Sequence, residues 1–245
     1  MYDIGFKILF IVLLFALLFS FLVVFMVKQI VKPLQKLTEA SIELSKGNYD
    51  VKIDHSDTHE LNMLSTAFEN MIMNLREHKN LQYRLAHRDS LTGLRNVTSY
   101  KEWVIDFNQK IKESGASFGV AVFDINNLKE TNDTHGHIFG NELIVAVSGI
   151  ISETFKRSPV FRIGGDEFCV ILQNKDLSDR ENLFKAFDLK CETTYINKGN
   201  IRFSISIAKG FAEFNPHKDA EFSDVFERAD GEMYKNKRDM KTSTN

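Results

Sequence analysis

The sequence predicts an α+β domain preceded by one transmembrane helix and an α-helical module of coiled-coil character. Three observations carry this. Ile8 to Val27 is uncharged and almost wholly apolar. From Lys32 to Leu75, apolar residues recur at three- and four-residue spacings. Further along, the apolar run 118–125 carries a single carboxylate, Asp124, and two more apolar runs, 160–163 and 168–172, flank Gly164-Gly165-Asp166-Glu167. The ranges that follow are 1–31 for the anchor, 32–78 for the helical module, 79–98 for a linker helix and opening motif, and 99–245 for the catalytic domain.

The anchor comes first. At about 1.5 Å per residue, Ile8 to Val27 covers about 30 Å, the thickness of a bilayer's hydrocarbon core. A cleaved signal peptide is the competing reading, but the run exceeds an ordinary h-region and no small-residue cleavage site follows. Lys28, Lys32 and Lys36 flank its C-terminal end, against Lys7 and Asp3 at the other, so the positive-inside rule places the remainder in the cytoplasm. The expected location is a bacterial inner membrane, crossed once. Because the helix starts almost at Met1, either the chain is a truncated receptor or control arrives through a membrane-embedded sensor partner.

The helical module reads as two amphipathic helices, spaced by Leu34, Leu37, Ser41 and Leu44 and by Leu61, Leu64, Phe68, Met71 and Leu75, with Gly47-Asn48-Tyr49-Asp50 between them. Such seams suit packing between helices and between subunits. Pro33 after the membrane helix, Gly47 in the connector, Glu60-Leu61, Ala67-Phe68 and Met71 together resemble a HAMP signalling module. Beyond Leu75 the apolar positions are Leu81 and Leu85 rather than residues near His78 and Gln82, so the register slips, which changes local supercoiling.

Composition narrows the partners. With 245 residues, 43% hydrophobic residues and net charge −2, one medium domain plus appendages is allowed, and no basic excess points to a nucleic acid polymer. Cys169 and Cys191 follow no metal-ligand spacing and read as reduced thiols.

In the catalytic domain the expected order is helix 99–113, strand 118–125, helix 140–155, a hairpin around Gly164, helix 178–197, strand 201–209 and helix 222–236, with the helices on one face of the sheet. The paired glycines are expected to supply positive φ in a tight hairpin turn. Adjacent carboxylates there repel, and a cation must offset them unless they are simply solvated. Oxygen ligands of this kind suit magnesium that also holds phosphates. Asp124, where a buried strand ends, supplies the further carboxylate that a two-metal nucleotidyl-transfer site requires.

Gly164-Gly165-Asp166-Glu167-Phe168 spells the motif of the GGDEF family, which the chain resembles over about its last two-thirds. The family's other signature is matched by Asp124-Ile125-Asn126-Asn127-Leu128-Lys129, Asn132-Asp133, Gly136-His137 and Gly140-Asn141-Glu142-Leu143. Its opening motif is matched by Asp89 to Asn96, and its last helix by Ala229-Asp230, Met233-Tyr234 and Lys237. The resemblance implies a palm-like nucleotidyl cyclase sheet and a diguanylate cyclase that joins two GTP into cyclic di-GMP across a homodimer.

It also implies roles. Asp124, Asp166 and the carbonyl of Ile125 would bind two Mg²⁺ per site, or Mn²⁺. Glu167 would accept a proton from the attacking 3′-hydroxyl. Lys129, placed in the turn after the strand, Lys237 and Lys241 would neutralise the triphosphate, and Asn132, His137 and Asn141 would lie near guanine. Three departures stand out. Asn141 replaces an aspartate that accepts from guanine N–H groups, so guanine selectivity is in question. Lys241 replaces an arginine and loses its bidentate fork. Asn126 also replaces an aspartate, with little loss expected. The family's inhibitory arginine and aspartate are matched by Phe155 and Ser158, so product feedback is expected to be absent. The alternatives are a catalytically silent GTP-binding or dimerising module, a cyclase of altered purine selectivity, and a maker of monomeric cyclic nucleotides, which the hairpin motif disfavours.

Overall fold

The computed structural model describes residues 2–54, 58–113, 115–198 and 201–242. The chain divides into two compact units, residues 1–83 and 84–245.

The first unit is helical. Helix α1 (Tyr2–Met26) passes through a π-helical turn (Val27–Val31) into α2 (Lys32–Ser45). Lys32 N–H donates to Val27 O, five residues back, and Pro33 accounts for the widened turn because it brings no N–H and crowds the turn before it. Among the described residues, one helix is long and apolar enough to cross a membrane. Helix α3 (His59–His87) continues through the expected register slip without a break. Gly47, at φ +85°, ends α2, and the connector is tied to α3 where Arg76 Nε donates to Tyr49 O at 2.5 Å and Lys79 sits over the Tyr49 ring.

The second unit is built on a four-stranded antiparallel sheet in which β2 (Val160–Arg162), β3 (Glu167–Leu172), β1 (Gly119–Ile125) and β6 (Ile207–Glu213) lie side by side in that order. Asn96 caps α4 (Val97–Lys112) by accepting from Ser99 N–H. Strand β1 (Gly119–Ile125) follows, buried at every position. Two helices come next, α5 (Leu128–His135) and α6 (His137–Thr154), then β2 (Val160–Arg162) and β3 (Glu167–Leu172). After them come α7 (Asn174–Ser178), α8 (Arg180–Thr193), β4 (Tyr195–Lys198), β5 (Ile201–Ser204), β6 (Ile207–Glu213) and α9 (Phe222–Thr242).

Five expectations are corrected. Helices cover both faces of the sheet, not one. Ala121, Phe123 and Ile125 pack with α6 and with Phe187 of α8, while Val120 and Val122 pack with Phe107 of α4 and with Val225, Ala229 and Met233 of α9. A central strand apolar on both parities has to be covered twice. The helix expected over 178–197 ends at Thr193, and the strand expected over 201–209 is two strands, with β5 paired only to β4. The change of sheet falls at Ser206, whose carbonyl accepts from Asn126 N–H and whose hydroxyl accepts from Asn126 Nδ2. Lys129 lies in the first turn of α5 rather than in an open turn. Finally, neither Gly164 nor Gly165 has positive φ. A Cβ on Gly164 would lie 2.6 Å from Glu167 Oε2, so a larger residue there would displace the end of the Glu167 side chain.

Candidate active site

The sheet register builds the site. Asp124, the last acidic position before β1 runs out, is paired across to Glu167 on β3 and to Ala208 on β6. Ile125 N–H donates to Asp166 O at 3.0 Å, which seats the hairpin turn against the end of β1. Ile163 and Gly164 N–H both donate to Glu167 O and close that turn. Asp124 points to the same face as Val120 and Val122, toward α9, and its Oδ1 accepts from Lys237 Nζ at 2.5 Å. The carboxylate is buried, at 6% exposure, and Lys237 gives it a charged hydrogen-bond partner in place of water.

Glu167 is partly exposed and its carboxyl is raised from the ordinary value. Burial is the largest cause, followed by repulsion from Asp166, Asp124 and Asp230, with Lys237 opposing. Four carboxylates thus share the field of one lysine. Among the described residues, no three His, Cys, Asp or Glu side chains already meet as a ligand set. The donors nevertheless fit a hard divalent cation, being oxygens with excess negative charge at a strand edge.

The remaining expected residues form a second group. Asn132, on α5, lies so close to α6 that a Cβ on Gly140 would collide with its Oδ1. Gly136, at φ +84°, makes the corner between the two helices and donates to Asn132 O. His137 and Asn141 are exposed one turn apart at the start of α6, and Lys129 is exposed on α5. It is His135, not His137, that packs into an aromatic cluster with Phe139 and Phe203. Lys241 is exposed in the last turn of α9, and among the described residues it is Lys237, not Lys241, that pairs with Asp124. Phe155 is fully buried against Phe123 and Phe184, and Ser158 Oγ donates to Asp176 Oδ2, so both are turned inward.

Sequence reasoning missed two functional contributors. Asp230 joins the carboxylate field of Glu167; it sits two helical turns before Lys237, a spacing that puts both on one face of α9. Arg162 grips the hairpin. Its Nη2 donates to Gly165 O at 2.7 Å, and its Nη1 to Asp89 Oδ1 and Oδ2 at 3.0 and 3.1 Å. Burial acts to raise the Asp89 carboxyl, but hydrogen bonds from Thr92 Oγ1 and N–H and the Arg162 guanidinium outweigh it and hold the group below the ordinary value. A cation two residues before Gly164, in an otherwise apolar strand, was the available signal.

A strand-end carboxylate beside a hairpin bearing two more, on an antiparallel sheet backed by helices, defines the class as a palm-type nucleotidyl-transfer fold. The comparisons narrow it. Residues 86–243 match the family model described as diguanylate cyclase, GGDEF domain, and residues 25–77 match the HAMP domain. The chain belongs to the GGDEF diguanylate cyclase family and carries a HAMP domain. It is 30% identical over 154 residues to the diguanylate cyclase DgcS of Shewanella oneidensis, covering 61% of this chain and 49% of that protein. It is 28% identical over 158 residues to the diguanylate cyclase DgcP of Pseudomonas aeruginosa, covering 64% and 23%. The chain therefore spans half or less of these curated relatives. Among solved structures, the coiled coil and GGDEF domain of DgcB from Caulobacter crescentus, in complex with c-di-GMP, is similar with a TM-score of 0.62 and 26% identity, covering 74% of this chain and 95% of that one.

Proposed function

We propose that this chain is a membrane-anchored diguanylate cyclase that condenses two GTP into cyclic di-GMP and two pyrophosphates, with one nucleotide held by each of two copies. The observation that carries this reading is the meeting of Asp124, Glu167 and Lys237 at the end of β1, with Asp166 and Asp230 adding to the field. Asp124, Asp166 and the Ile125 carbonyl would hold two Mg²⁺, or Mn²⁺, which when bound offset negative charge on the attacking and leaving oxygens. Glu167, with its raised carboxyl, is suited to take the proton of a 3′-hydroxyl as that oxygen bonds to the α-phosphorus of the other GTP and the bond to pyrophosphate breaks. Lys129, Lys237 and Lys241 neutralise the triphosphate. Asn132, His137 and Asn141 face the base.

The open seam of α2 and α3 supports a homodimer, since Leu34, Leu64, Met71 and Leu75 are all exposed in the single chain. With α1 in a bacterial inner membrane, the basic flank after it favours a catalytic unit on the cytoplasmic side. A second reading, a silent GTP-binding module or a cyclase of altered purine choice, is favoured by Asn141. The test is to incubate the full chain, in detergent, with GTP and Mg²⁺ and to identify products by mass. Cyclic di-GMP that disappears in Asp166→Ala supports the cyclase. Bound GTP without product supports the silent module, and mixed or adenine-containing products place the difference at Asn141.

A further inference from the structure

Lys237 reaches Asp124 from α9, and two close contacts join α9 to β6 beside that pair. The first is Gly210 on β6. A Cβ there would collide with Ala229 O and Met233 N and would lie 2.8 Å from Met233 Cα. Backbone atoms cannot swing aside as a side chain does, so any other residue would push the helix outward. The second contact is at the next residue. Lys209 N–H donates to Asn236 Oδ1 at 3.0 Å, so on this edge strand a backbone donor goes to a helix side chain instead of to another strand. Asn236 directly precedes Lys237. Lys209 and Gly210 lie one and two residues beyond Ala208, the residue paired with Asp124.

We propose that Gly210 and Asn236 form a latch that sets the depth and register of α9 and thereby presents Lys237 to Asp124 and to the triphosphate of the nucleotide. Both are positioning residues, and neither needs to touch substrate. The triphosphate part of this inference rests on the cyclase reading; the presentation of Lys237 to Asp124 does not.

The first test therefore needs no nucleotide. In the full chain, the rate at which an amine-reactive methylating reagent modifies Lys237 is read by peptide mass mapping. In the wild type Lys237 is protected by its ion pair. Asn236→Ala is expected to raise the rate several-fold, whereas Asn236→Asp, which keeps an acceptor oxygen for Lys209 N–H, stays near the wild type. Equal rates in the wild type and Asn236→Ala overturn the latch. Gly210→Ala should behave as Asn236→Ala does, but Asn236→Ala alone decides if Gly210→Ala fails to fold by circular dichroism.

The second test measures binding of 3′-deoxy-GTP, which cannot condense, by calorimetry. Loss of one hydrogen bond predicts roughly five- to tenfold weaker binding for Asn236→Ala. If Asn236 acts through Lys237, the double variant Asn236→Ala/Lys237→Ala binds no more weakly than Lys237→Ala alone, whereas additive losses overturn that route. A wild type that binds 3′-deoxy-GTP but makes no cyclic dinucleotide from GTP removes the cyclase reading and leaves the latch standing on its own two measurements.

Discussion

In the unit of residues 1–83, the buried residues of α2 and α3 are Ala40, Ser65 and Ile72, and the apolar seam stays open. In the unit of residues 84–245, all of β1 is buried and two apolar cores enclose the sheet. The same chain thus uses apolar residues in two ways. The catalytic unit spends them on itself, and so can hold Asp124 in a dry, fixed place. The N-terminal unit leaves many of them exposed.

The sharpest test of the self-contained unit is its chemistry. Glu167→Gln should lower cyclic di-GMP formation by about 10²- to 10⁴-fold, the usual scale for a lost general base, with circular dichroism unchanged. Retained activity would take Glu167 out of the reaction. Next is stability. Phe123→Ala should cost about 3–5 kcal/mol in urea denaturation, because a fully buried ring in contact with Phe155 and Phe187 leaves a cavity. Leu64→Ala, at an exposed seam position, should change monomer stability by less than about 0.5 kcal/mol while weakening self-association in sedimentation. A large stability loss at Leu64 would contradict the open seam.

A smaller effect is expected at Asp89. Asp89→Asn should cost about 1 kcal/mol, since the pair with Arg162 is partly solvated. Because the Asp89 carboxyl lies below its ordinary value when folded, its contribution is fully present above the unfolded value and is lost as pH falls through the folded one. The wild type should therefore lose stability in acid more steeply than Asp89→Asn, as read by urea midpoints against pH. Smallest is a shift in the acid limb of activity. Glu167 is raised, so the limb should lie above the position an unperturbed glutamate gives, and higher Mg²⁺ should move it to lower pH by favouring the charged form. A limb insensitive to Mg²⁺ would separate Glu167 from the cation field.

The sequence by itself determined the membrane helix, the HAMP order, the family, and Asp124, Asp166, Glu167 and Lys237 as candidates. The helix and the three carboxylates follow from short-range signals, an unbroken apolar run and a polar break between two strands, whereas the family, the HAMP order and Lys237 come from the resemblance of short motifs to known ones. What only the tertiary structure decided depends on partners far apart in the chain. Arg162 meets Asp89 across 73 positions, Lys237 meets Asp124 across 113, and Lys209 meets Asn236 across 27. No local pattern shows that Gly164 yields space to Glu167, that Gly210 lets α9 approach, or that β5 leaves the main sheet. Periodicity specifies which face of an element is apolar. The depth at which two elements pack is set by atoms from both, and is decided only when they meet.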